Sequence, residues 1–210
     1  MVEGPTDFEV LSRLVAAFSP IPTVSSVLQP EASAAFSSYG QTGAGWKGVR
    51  AWCNQLKVPL QRYVEPESGP KLDLLVVHID ADVSRDAEID QSLACPPARH
   101  TVNRLRSVIQ SWFDVPAQCR QRVLCIPADA LETWIAAAYG EPIPECTYDP
   151  ASLLTRRPRK LLKTKDGRAK KKVSDYRTFA DEVVERWGRV AESCLMAKLF
   201  EKHCRRVLSS

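Results

Sequence analysis

The run Leu72-Asp73-Leu74-Leu75-Val76-Val77-His78-Ile79 is almost continuously apolar and stops at Asp80-Ala81-Asp82. A short run this rich in aliphatic residues predicts a strand buried on both faces, as in a parallel sheet covered by helices on each side. In such a sheet the ligand site lies at the carboxyl ends of the strands. The acidic residues that close this run therefore stand where a site is expected.

The rest of the chain alternates in the same sense. Phe8, Leu11, Leu14, Val15 and Phe18 fall at helical spacing after a Thr6/Glu9 capping box, and Pro20 and Pro22 stop that helix. Thr23 to Leu28 reads as a short strand. A Gly/Ser-rich stretch from Ser37 to Gly45 precedes a helix over Trp46–Lys57, and a Pro/Glu loop spans about 64–70. Helices are expected from about Arg99 to Phe113 and from Ala128 to Tyr139, on either side of a short buried strand, Val123–Ile126. Tyr176 to Leu208 reads as one or two helices. Strands alternating with helices predict an α/β fold with a mainly parallel sheet. The expected organisation is an α/β domain over 1–140, a Pro-rich connector and basic segment over 141–174, and a C-terminal helical region over 175–210 packed on that domain.

Charge is distributed unevenly. The net +4 of the 210-residue chain hides ten basic residues between positions 156 and 172: Arg156, Arg157, Arg159, Lys160, Lys163, Lys165, Arg168, Lys170, Lys171 and Lys172. Against them stands one acid, Asp166, so this segment is +9 and the remainder −5. A basic block of this kind suits phosphate contact without base readout, and it has little aromatic interleaving for base stacking. A solvated surface loop is the competing reading.

Several classes are excluded or disfavoured. No apolar run approaches the ~20 residues of a membrane span. The first residues carry no basic-then-apolar leader, which predicts a cytoplasmic protein. Seven scattered cysteines, none in a Cys-x-x-Cys pair, argue against a disulfide framework and a structural zinc site and predict reduced thiols. Three distant histidines leave little for a histidine-based metal site. No Gly-x-x-x-x-Gly-Lys-Ser/Thr loop is present.

Two acidic groups carry the chemistry. Asp80 and Asp82, two apart at a strand end, would point to the same side and offer oxygen ligands that suit Mg²⁺ or Mn²⁺. Glu3 would end a first strand and Asp7 would face it across the turn into the first helix. The plainer alternatives are a loop Asp-x-Asp, an Asp7 that only favours the helix N-terminus, and an exposed Glu3. Glu132 is a further candidate, its alternative being a helix residue paired with a Lys or Arg.

Val2-Glu3-Gly4-Pro5-Thr6-Asp7 together with Val76-Val77-His78-Ile79-Asp80-Ala81-Asp82 resembles the Toprim domain of primases, topoisomerases and OLD-type nucleases. Ile126-Pro127-Ala128-Asp129-Ala130-Leu131-Glu132-Thr133-Trp134-Ile135 is similar to an element of small stand-alone Toprim-like proteins found in bacterial phage-defence contexts, and the region Tyr176 to Glu201 to their C-terminal helices. The resemblance implies a parallel sheet of about four strands flanked by helices. It implies Glu3 as general acid/base or metal ligand, Asp80 and Asp82 as Mg²⁺ carriers, and Asp7 as a further ligand. The implied activity is metal-dependent cleavage of nucleic acid, DNA rather than RNA, with a separate ATPase as partner. A non-catalytic Toprim-fold binding or assembly module is the second reading. Only Met1 and Val2 precede Glu3, against ~5–6 residues in an average strand, so the first strand is expected to be clipped.

Overall fold

A computed structural model describes residues 1–27, 45–55, 71–90, 98–113, 120–141, 145–156 and 160–209. The Gly/Ser-rich stretch up to residue 44, the 64–70 loop, Pro96-Pro97, Arg157 and Arg159 lie outside them.

The fold is mixed α/β and rich in helix. In chain order come α1 (Pro5–Phe18), α2 (Gly45–Gln55), β1 (Leu75–His78), a 3₁₀ turn (Ala81–Arg85), α3 (Ala98–Ser111), β2 (Arg122–Cys125), α4 (Glu132–Ala138) and α5 (Pro150–Arg156). A hairpin of β3 (Lys163–Lys165) and β4 (Arg168–Lys170) leads to α6 (Val173–Glu185), α7 (Trp187–Ser193) and α8 (Leu195–Leu208).

β1 and β2 pair in parallel, with Leu75 opposite Arg122 and His78 opposite Cys125. Four parallel strands were expected; among the described residues the parallel sheet has these two. Thr23 to residue 27 forms no strand. The first strand is also missing as a regular element, and the reason is visible in its hydrogen bonds. His78 N–H donates to Met1 O at 3.0 Å, so the chain start lies along the edge of β1 that β2 leaves free. An evenly spaced parallel ladder would next join Asp80 N–H to Glu3 O. Instead Glu3 O accepts from Gly45 N–H at 3.1 Å, and Asp80 N–H donates to the Glu3 side chain, Oε1, at 2.8 Å. The carboxylate takes the place of a backbone acceptor just where the chain turns away.

The first helix starts earlier than its sequence suggests. Pro5 opens it, and the Asp7 carboxylate accepts from Gly4 N–H at 2.9 Å, so Gly4 and Asp7, not Thr6 and Glu9, form the cap. Its buried stripe, Val10, Leu11, Leu14 and Phe18, packs most extensively on α6, which buries Tyr176, Phe179, Ala180 and Val183.

α4 is buried along its whole length and sits among α5, α6 and α7. Its Trp134 meets Trp187 edge-on at 5.8 Å and Phe200 at 5.7 Å; Phe18 closes the cluster at 5.1 Å from Trp187. Trp52 and Trp112 are buried too. The single or double C-terminal helix is three, with breaks at Arg186 and Cys194.

Cys53, Cys125, Cys194 and Cys204 are buried free thiols. Cys146 is disulfide-bonded, which corrects the expectation of uniformly reduced cysteines. Among the described residues, no helix is long and apolar enough to cross a membrane.

Candidate functional site

The carboxylates that the sequence singles out meet at the carboxyl end of the parallel pair. β1 ends at His78, and the pairing with the β2 side continues through Ile79 N–H to Cys125 O, Ala81 N–H to Pro127 O and Asp82 N–H to Asp129 O. This carries Asp80 and Asp82 past the sheet, alongside the chain that opens α4 with Glu132.

Strand alternation does not govern Asp80 and Asp82. The 3₁₀ turn begins at Ala81, so the two carboxylates part company. Asp80 turns inward, and its Oδ1 accepts from Leu131 N–H at 3.0 Å and lies 3.1 Å from His78 Nε2. Asp82 stays exposed at the rim.

His78 is the residue that sequence reading passed over. It is fully buried, with Asp80 on Nε2 and Asp7 Oδ2 3.9 Å from Nδ1. Burial alone would lower its pKa. The hydrogen bond and charge of Asp80, then the charges of Asp7 and Glu3, prevail and raise it to about 9. At neutral pH it is an imidazolium ringed by acids.

The acids are shifted in turn. Burial, then the Asp80 charge, pushes Glu3 up to about 8. Burial raises Asp80 to about 6 against the opposing pull of His78. Asp7 is raised chiefly by burial; Asp82, exposed at the rim, is raised by partial desolvation against the cleft wall and then by Asp129.

Glu132 is buried at 1% exposure. Its Oε1 accepts from the Tyr176 hydroxyl and pairs with Lys171 Nζ at 2.6 Å, while Oε2 is buried with no hydrogen-bond partner among the described residues. The pairing of Glu132 with a lysine is thus real, and the lysine comes from the basic segment. Tyr176, held well above its ordinary pKa by burial and the Glu132 charge, stays a phenol and a donor.

The basic segment is not a plain loop. The Asp166-Gly167 dipeptide, with φ of +51° and +75°, makes the tight turn of the β3–β4 hairpin. Lys163, Lys165, Arg168 and Lys170 are exposed on it, and Lys172 precedes α6. Arg156 ends α5 and Lys160 follows it, both exposed.

Hairpin and carboxylates share one cleft of about 650 Å³. Asp80, Asp82 and Glu132 line one part of it; Arg168 and Lys171 line another. Asp129, buried and held in a left-handed conformation (φ +62°), pairs with Arg85 at 2.7 Å on the same wall.

Metal-free stability is expected to fall as pH rises. Glu3, Asp80 and His78 all have folded-state pKa values above their ordinary ones, so the folded state holds the extra protons. The Asp80 proton is held up to about 6, the Glu3 proton to about 8. The contribution of His78 is complete below its ordinary value of 6.5 and is lost as pH passes about 9. Each extra proton gives a slope of about 1.4 kcal/mol per pH unit. Thermal melts in EDTA between pH 5 and 9 check this, and a midpoint that rises over that span contradicts the charge assignment.

As they stand, no three His, Cys, Asp or Glu side chains among the described residues gather to hold a metal ion. The donor chemistry nevertheless suits a hard divalent cation: the acids offer oxygen alone, they outnumber the buried cations around them, and Glu132 Oε2 lacks a partner among the described residues. No protein-family model, curated protein or solved structure matches the chain.

Proposed function

We propose that the chain is a Toprim-type phosphodiester hydrolase acting on nucleic acid with Mg²⁺ or Mn²⁺. One observation carries this reading: Asp80 and Glu132 line the same cleft as the basic hairpin. Asp80, Glu132, Asp7 and Glu3 would hold the cation, with Asp82 at the entrance. The metal would polarise a phosphoryl oxygen and supply an activated water. Glu3, with its pKa pushed up to about 8 while no cation is bound, would give up its proton on joining that set. Lys171, held above its ordinary pKa chiefly by Glu132, stays cationic and can meet charge developing on the phosphate. The hairpin supplies the phosphate contacts that the acidic wall alone would repel.

The test is cleavage of plasmid and of single-stranded DNA and RNA with Mg²⁺ or Mn²⁺ beside an EDTA control. Metal-dependent products support the proposal; binding without cleavage in either metal overturns it. That second outcome would favour a non-catalytic Toprim-fold binding module. The internal pairing of Asp80 with His78 and of Glu132 with Lys171 speaks for this rival, because it sets a cation against each of these two acids without a metal.

Replacing Lys163, Lys165 and Lys170 with Gln should weaken binding across all sequences. On duplex DNA each lost phosphate contact flattens the plot of log K against log salt by about 0.9. Anisotropy titrations at several salt concentrations measure the slope. A slope unchanged in the triple variant removes the hairpin from the binding surface.

A further inference from the structure

The basic segment lacks aromatic residues, yet the cleft does not. Tyr148, from the loop before α5, lines the same cleft as Asp80, Glu132, Arg168 and Lys171. It is 74% exposed, in a wall that also carries charged groups of both signs. Its ring is nevertheless held. The Arg85 guanidinium lies over it, 4.8 Å from the ring centroid. Arg85 is in turn fixed by Asp129, whose Oδ2 accepts from Asp149 N–H at 3.1 Å. Asp149 caps the first turn of α5 through Ser152 N–H at 3.1 Å. Asp129 and Asp149 both adopt left-handed conformations, with φ of +62° and +48°. A buried acid, a cation and an aromatic ring thus form a stack whose outer face is solvent.

A ring presented in this way has a chemical use. Cation–π contact with Arg85 accounts for one face. The other is an apolar plane beside cations that suit phosphate. Trp46, also on the cleft wall, is already spoken for: it stacks on Trp112 at 6.4 Å and carries Arg50 at 4.7 Å. We infer that Tyr148 stacks an unpaired base of the bound strand, so that the cleft takes single-stranded nucleic acid, or an unpaired nucleotide, in preference to a continuous duplex. Duplex bases stack on one another and offer no free face; an unpaired base offers one whatever its sequence. The inference rests on the reading of the cleft as a nucleic-acid site, but it does not depend on hydrolysis.

The experiment uses the full chain in EDTA, so that cleavage plays no part. Fluorescence anisotropy follows three labelled probes of equal length: a thymidine strand, the same strand with abasic sites in its central part, and a duplex. The wild type should bind the thymidine strand more tightly than the abasic strand. Tyr148→Ala should weaken the thymidine strand about tenfold, within the range for one base on an aromatic ring, and leave the abasic strand and the duplex unchanged. Tyr148→Phe keeps the ring and should retain the preference. Because Tyr148 is exposed, circular dichroism of both variants should match the wild type. Equal wild-type affinity for the thymidine and abasic strands overturns the inference. So does a preference that survives in Tyr148→Ala, or a loss spread equally over all three probes. A Tyr148-dependent preference in a protein that cuts nothing with Mg²⁺ or Mn²⁺ would refute the hydrolase reading alone. Failure to bind any probe at low salt overturns the inference, while the hydrolase reading is judged by cleavage with Mg²⁺ or Mn²⁺.

Discussion

Asp80→Asn is expected to reduce metal-dependent strand cleavage by at least about 100-fold while the fold survives. The asparagine keeps an oxygen for Leu131 N–H, so the link between the β1 end and the start of α4 is retained. What disappears is the charge. His78 loses the group that does most to keep it protonated, and its pKa should drop from about 9 towards or below the ordinary value. The variant therefore has two independent readouts: cleavage rate, and the His78 imidazole titration by NMR. Nicking at the wild-type rate would remove Asp80 from the chemistry. Asp82→Asn should do much less, because Asp82 is exposed at the rim and not joined to His78.

Trp134→Ala should destabilise the protein by about 3–5 kcal/mol, the usual range for removing a large aromatic side chain from a core. Trp134 is fully buried and touches both Trp187 and Phe200, so the cavity would open at the junction of α4, α7 and α8. Trp134→Phe should cost far less than the alanine. Among the described residues the indole N–H has no hydrogen-bond partner, so phenylalanine removes a buried donor that gains nothing from them. Urea unfolding of the two variants separates the effects. Equal losses would mean that the ring contacts carry little of the stability.

The sequence was most legible where burial is continuous. Leu72–Ile79 reads as a buried strand because nearly every side chain is apolar, and β1 lies inside it. The stripe of α1 follows from spacing alone. Legibility failed where backbone geometry changes within two residues. Asp80 and Asp82 look like neighbours on a strand, but the 3₁₀ turn at Ala81 sends one inward and leaves the other at the surface. His78 was hidden for a different reason. A polar residue inside an apolar run carries no sign of its partners, which come from residues 7 and 80. The hairpin did have a signal in Asp166-Gly167, masked by the surrounding charge run. Tyr148 had none, since its ring is placed by Arg85 and Asp129 from separate segments.

Glu3 gives a functional group a structural duty. Its carboxylate is the acceptor for Asp80 N–H at the edge of the sheet, where no backbone carbonyl is in place to serve. Truncating Glu3 to alanine would remove a proton carrier and unfasten the chain start in one stroke, so its phenotype cannot be apportioned. Glutamine retains the oxygen and discards only the acidity. A substitution at this position is therefore expected to keep the sheet edge intact only where the new side chain can imitate a peptide carbonyl, whatever chemistry the cleft performs.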